Sequence, residues 1–227
     1  HQAAWLASLP GDERASFLMG DTPLLMLAQQ HAPTAERADR IAALIAGNLD
    51  HPAREVLWGS PGTLLAALLM FENTGEPRWA ELFRTTAAKL WSQLLWSDEH
   101  RCHYWTQDMY GQTSSYIDAV HGFVAVALPL IRGRQLLGDA AWAAWQDVIV
   151  NTIRQTVTLE DGLANWRAHL ITPPGRQPRY LMQFCHGAPG FVISLAALPS
   201  PALDDLLQAG GEATWAAGRL TKGSNLC

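Results

Sequence analysis

Apolar and polar positions along the chain sort into two kinds of segment. In one kind nearly every position is apolar: Leu24 to Gln30, Thr63 to Phe71, Phe123 to Ile131 and Phe191 to Leu198. In the other, apolar residues recur at helical spacing and the charges lie elsewhere. Between Ala35 and Leu49, for example, Ile41, Leu44, Ile45 and Leu49 form a stripe that Glu36, Arg37, Asp39 and Arg40 avoid. Trp79 to Trp96, Asp139 to Val157 and the stretch from Pro201 to about Gly218 repeat the second kind. A helix apolar on all sides needs burial on all sides, whereas an amphipathic one needs a single covered face. Alternating the two predicts an all-α protein with an inner ring of helices wrapped by an outer ring, an α/α barrel or toroid.

Glycine turns punctuate this alternation. Gly20, Gly59, Gly122 and Gly187 stand 39, 63 and 65 residues apart, and each precedes an apolar segment. The pattern is an imperfect repeat of one unit: glycine turn, buried helix, loop, half-exposed helix. Asp21 or Thr22 can cap the first apolar helix, with Pro23 in its first turn. Side chains beside such turns converge at one end of a toroid, so Glu55, His121, Cys185 and Cys227 are candidates to meet although distant in sequence. Cys185 lies at the mouth of a helix, where the dipole favours the thiolate that metal binding and nucleophilic chemistry both require. An imidazole such as His121, with an ordinary pKa near 6.5, suits proton transfer at neutral pH, although it could equally cap the helix that follows. Two stretches lie outside the repeat: a long polar one from Ser97 to Tyr116, and an irregular loop from Glu160 to Gln183.

Composition narrows the function. A chain of 227 residues, 48% hydrophobic and 16% charged, can bury a sizeable core. A net charge of -5 without any Lys/Arg-rich run excludes nucleic acid as a partner. Three cysteines make no disulfide framework, and no apolar run is long enough to span a bilayer. These features lead to the expectation of a soluble, cytoplasmic protein. His1 at one end and Cys227 at the other suggest a piece of a longer polypeptide, here a single toroid domain over 1–227, truncated at both ends.

Taken together, Trp58-Gly59-Ser60-Pro61-Gly62, His121-Gly122, Cys185-His186-Gly187-Ala188-Pro189-Gly190 and the closing Lys222-Gly223-Ser224-Asn225-Leu226-Cys227 resemble the lanthionine synthetase C-like (LanC-like) family. Phe17-Leu18-Met19-Gly20-Asp21 is similar to an earlier turn of that family, so the resemblance spans essentially the whole chain. It implies a double ring of seven inner and seven outer helices and one catalytic zinc held by two cysteines and a histidine. Cys185 and Cys227 match the two cysteines, and the histidine would follow Cys227 directly. It further implies that a thiol, from a peptide or a glutathione-like small molecule, adds to dehydroalanine or dehydrobutyrine to give a thioether. His121 matches the acid-base residue, and Glu55 matches an acidic position that orients or charge-balances the site. Four positions before Cys185, where the peptide-cyclising branch tends to carry a basic residue, stands Leu181, and the nearest arginine is Arg179. This leans towards the broader LanC-like branch and its glutathione-type adducts.

Other readings compete. A glycosidase on an α/α barrel needs two carboxylates across the mouth, and Glu55 and Asp118 are the pair beside glycine turns. A non-catalytic scaffold could keep the rings and the metal. Glu55 could instead form a surface ion pair with Arg54. His100, Cys102 and His103 form a weak second candidate metal cluster, and Trp166 is a candidate substrate contact. The remaining tryptophans fit packing between rings.

Overall fold

The computed structural model describes residues 13–173, 175–178 and 180–218. The described chain is mostly helical and divides into two compact units, residues 1–93 and 94–227. Among the described residues no helix is long and apolar enough to cross a membrane. Cys227 lies outside the described residues.

The first unit holds helices α1 (Thr22–His31), α2 (Ala35–Gly47), α3 (Ser60–Thr74) and α4 (Pro77–Ser92). Helix α3 is its centre, buried at nearly every position from Ser60 to Met70. Pro61 sits in its first turn, and Gly75 ends it in the left-handed region at φ 68°, its N–H donating to the Phe71 carbonyl. Helix α4 packs on α3 through Trp79, Phe83, Ala87 and Leu90, one face at helical spacing, and leaves Glu81 and Arg84 paired in solvent at 2.7 Å. Helix α2 opens with the Thr34 hydroxyl accepting the Arg37 N–H at 3.2 Å and buries Ala38, Ile41 and Ile45.

Helix α1 departs from expectation. It packs against α2 and α3 on one side, so Leu24 and Leu27 stay exposed and Thr22 is its buried residue. Asp21 precedes it without capping it by side chain, because its carboxylate bridges Arg14 and Arg40 at 2.8 and 2.7 Å.

The second unit contains α5 (Phe123–Arg132), α6 (Asp139–Thr156), α7 (Ala188–Leu195) and α8 (Pro201–Ala216). Helices α5 and α7, apolar and largely buried, pack together, and α8 packs on α7. Three antiparallel hairpins qualify the all-α expectation: β1 (Leu95–Ser97) with β2 (Cys102–Tyr104), β3 (Gln107–Met109) with β4 (Gln112–Ser114), and β5 (Val157–Glu160) with β6 (Leu163–Trp166). Two have two-residue turns with both φ positive, Tyr110-Gly111 and Asp161-Gly162, the geometry that matches strand twist. Helix α4 accordingly stops at Ser92, and Trp96 lies in β1 opposite His103 instead of continuing the helix.

Glycines allow the close approaches that aim α3 and α7. A Cβ on Gly62 would lie 2.1 Å from the Val56 carbonyl oxygen, and one on Gly190 would lie 2.0 Å from that of Phe184. Both glycines stand three residues after a turn glycine, in the first turn of their helix. At Gly187 the φ of 114° adds a conformation that L residues avoid, and a Cβ would meet the Leu181 carbonyl at 1.8 Å. We predict that Gly62→Ala lowers stability by about 2 kcal/mol or more, an overpacking penalty against rigid backbone. Gly47→Ala, with nothing within 4 Å of the added methyl, should be neutral or stabilising by up to about 1 kcal/mol. Urea denaturation of the two variants checks the contrast.

Candidate active site

The four glycine turns share a construction that the sequence reading passed over. Four residues before each glycine stands a polar residue: Ser16, Glu55, Asp118 and Gln183. In every case its side chain accepts a hydrogen bond from within its own turn. The Ser16 hydroxyl accepts the Met19 N–H at 2.9 Å and donates to the Leu57 carbonyl. The Glu55 carboxylate accepts the N–H of Leu57 at 3.0 Å and that of Trp58. Asp118 Oδ1 accepts three, from Val120, His121 and Gly122 at 2.9, 2.7 and 3.1 Å. Gln183 Oε1 lies 3.8 Å from Cys185 Sγ, within reach of its weak S–H donor. Tight turns leave backbone donors pointing inward, and a buried donor without a partner costs about 1–3 kcal/mol, so a polar side chain at this offset is what keeps each turn closed.

Asp118 does more than hold its own turn. It is fully buried, and its second oxygen, Oδ2, lies 2.8 Å from His186 Nδ1. A carboxylate oxygen accepts, so Nδ1 carries the proton and Nε2 is the ring nitrogen left for other work. One carboxylate thereby joins the His121-Gly122 turn to the Cys185-His186-Gly187 turn. Tyr116 lies against both imidazoles, its ring 5.3 Å from that of His121 and 6.1 Å from that of His186, and 4.1 Å from His169. Burial, and after it the negative charge of Asp118, push the Tyr116 phenol above its usual pKa, so it remains a proton donor.

The structure thus brings His121 and the Cys185 turn together around Asp118. Cys185 is 7% exposed and carries a thiol three residues ahead of α7. A thiol is the soft donor that zinc prefers, and the second cysteine, Cys227, falls on residues outside the description. Glu55 belongs to the first unit and is buried, its carboxylate accepting N–H groups of its own turn. Both carboxylates of the glycosidase reading, Glu55 and Asp118, are committed to backbone donors, which leaves that reading without an acid-base pair.

Two smaller expectations are corrected. Trp166 is not a substrate contact: it is fully buried, stacks on Phe191 at 4.7 Å, and donates its indole N–H to the Ile153 carbonyl at 3.1 Å. Cys102 sits fully buried in β2, and burial, only partly offset by Arg167, pushes its thiol to about 11. His103 packs edge-on against Trp96, and burial lowers its pKa. Among the described residues, no group of three or more His, Cys, Asp or Glu is arranged to hold a metal. His169 is not among the sequence candidates, and Asp118 enters there only as a glycosidase carboxylate. Asp118 had a sequence signal, the same four-residue offset from glycine that Glu55 shows.

Two predictions follow from this geometry. Asp118→Ala should destabilise the chain by roughly 3 kcal/mol or more, because several buried N–H donors lose their acceptor. Asp118→Asn keeps an oxygen for the turn but presents an N–H donor to His186, so the fold should survive while the imidazole changes tautomer; ring-nitrogen NMR shifts and thermal melts separate the two effects. For Cys102, a folded pKa above the ordinary thiol value of 9.0 means that its contribution to stability is complete below pH 9 and is lost as pH rises towards 11. Iodoacetamide labelling of Cys102 in the native chain should therefore rise with a midpoint near pH 11, against one near 9 in the unfolded chain. A native midpoint near 9 would contradict the burial argument.

Comparison with known proteins agrees with the turns. A family model described as lanthionine synthetase C-like protein matches residues 8–227. No curated protein matches the chain. Because the family match runs over nearly the whole sequence and includes all four glycine turns, the chain belongs to the lanthionine synthetase C-like family.

Proposed function

We propose that the chain carries the thiol-adding chemistry of its family: addition of a thiol to the β-carbon of a dehydroalanine or dehydrobutyrine, forming a thioether. The observation that carries this reading is the Asp118 carboxylate, whose two oxygens tie the His121 turn to the Cys185-His186 turn. Cys185 and Cys227 are the residues that would hold zinc, with the histidine that the family resemblance implies directly after Cys227. Bound there, zinc would lower the pKa of a substrate thiol and so supply thiolate at neutral pH.

The chain's own residues account for the proton. When sulfur adds to the β-carbon, the π-electrons of the alkene move towards the neighbouring carbonyl, and the resulting enolate must be protonated at the α-carbon. His121 is the residue for this step, since its backbone is fixed by Asp118 and its ring is packed against Tyr116. Asp118 holds His186 in one tautomer and orientation beside Cys185. Glu55 acts on its own turn as Asp118 does on the other, as an orienting group. The alternation of buried and half-buried helices supports the α/α toroid as the parent architecture, and the cytoplasm as its setting remains part of this proposal.

The test measures zinc per chain, and adduct formation between glutathione and a dehydroalanine peptide by mass spectrometry. The chain as it stands is compared with one extended by a histidine after Cys227. About one zinc per chain, lost in Cys185→Ala, is expected for the extended form. His121→Asn should keep the zinc and slow adduct formation by about 10²-fold or more. Zinc bound with no adduct from any thiol would favour the scaffold reading, and adduct formation without zinc would remove the metal from the proposal.

A further inference from the structure

Beside the Cys185 turn a cavity of about 140 Å³ is walled by Tyr116, Arg167, His169, Arg176, Leu181 and His186, among others. Its charge is one-sided. Two arginines, two histidines and a tyrosine line it, and none of the described residues that line it is acidic, in a chain where Asp and Glu outnumber Lys and Arg by 21 to 16. Asp118 does not line the cavity, and its oxygens are already engaged: Oδ1 accepts three backbone N–H groups and Oδ2 faces His186 Nδ1.

The wall is rich in hydrogen-bond donors. One terminal nitrogen of Arg167 lies 3.3 and 3.4 Å from the ring nitrogens of His100, and a guanidinium has five N–H donors in a planar fork. The Tyr116 phenol stays protonated, as its environment dictates. Such a wall matches an oxyanion, which accepts on every oxygen and pairs with arginine through two parallel hydrogen bonds. At about 30 Å³ per water the cavity has room for four or five waters, about the size of a carboxyl group with its adjoining carbons or of a phosphate.

We propose that this cavity is an oxyanion subsite that takes the carboxylate of the thiol substrate, with Arg167 and Arg176 as its charged donors. The assignment of the ligand as part of a thiol rests on the function proposed above; the anion selectivity of the cavity does not. The subsite selects a short acidic thiol, or a peptide thiol with a carboxylate near the sulfur, over a neutral thiol of the same size.

Binding of 3-mercaptopropionate, its neutral amide, propionate and inorganic phosphate to the whole chain tests this, read by calorimetry and by NMR of the arginine side-chain N–H signals. The acid should bind about tenfold or more tighter than the amide, propionate should compete with it, and both Arg167→Gln and Arg176→Gln should collapse the gap. Arg176 is exposed, so its variant should melt with the parent chain, and loss of the gap there cannot be ascribed to unfolding. Acid and amide binding alike would overturn the subsite even if thiol addition proceeds. Phosphate binding without any preference for the acidic thiol would make it a site for free inorganic anion and overturn the substrate assignment. Propionate carries no thiol, so its arginine-dependent binding reads the cavity whether or not the chain takes up zinc.

Discussion

The second unit depends on one buried carboxylate whose two oxygens meet four donors. Asp118 sits at zero exposure, where an unpaired charge would be untenable. Three of the donors are consecutive backbone N–H groups that no helix claims, because they lie ahead of the first turn of α5. The fourth is His186, 68 residues further on. The donors before α5 need an acceptor and the acceptor needs donors, so the two glycine turns of this unit are fixed relative to each other by mutual satisfaction of polar groups as well as by apolar packing of α5 on α7.

That view also explains why the glycines and the polar residues come as sets. A chain that reverses into an apolar helix brings backbone within van der Waals range of backbone, as Gly62 approaches Val56 and Gly190 approaches Phe184. Close approach excludes water, and water is what would otherwise satisfy the turn's N–H groups. A serine, glutamate or aspartate four residues ahead of the turn glycine takes water's place, while Gln183 at the same offset meets the Cys185 thiol. The residue type then decides what else the turn can do. Ser16 and Glu55 accept from N–H groups of their own turns, and Asp118 in addition meets an imidazole through its second oxygen.

The helices were legible because burial on all sides and burial on one side leave different patterns, and α2 to α8 follow those patterns to within a few residues at most ends. Helix α1 did not follow, since an apolar sequence states what could be buried and not whether neighbours exist to bury it. The hairpins were missed for a local reason. Asp161-Gly162 is a strong turn signal, but the strands it joins span only four residues each, too short for a period of two to stand out against the helix before them. Within the site, His121 and Cys185 were visible through their glycines, while His169 and Arg176 lie in the irregular loop, where spacing carries no information and only the fold brings them to Tyr116 and His186.

The arrangement divides labour by chemistry. The Cys185 thiol and the His121 imidazole sit on the two glycine turns, where backbone geometry is fixed by close packing, and the proposed reaction needs fixed geometry most for them. The cationic side chains sit instead on the loop between β6 and α7, where Arg167 and Arg176 are nine residues apart and Arg176 is exposed. Long-range attraction tolerates imprecise placement in a way that proton transfer does not, since it falls off slowly with distance whereas a hydrogen bond weakens steeply once its angle is lost. Under the proposed function, a loop that varies can therefore retune which thiol enters while the turns stay unchanged.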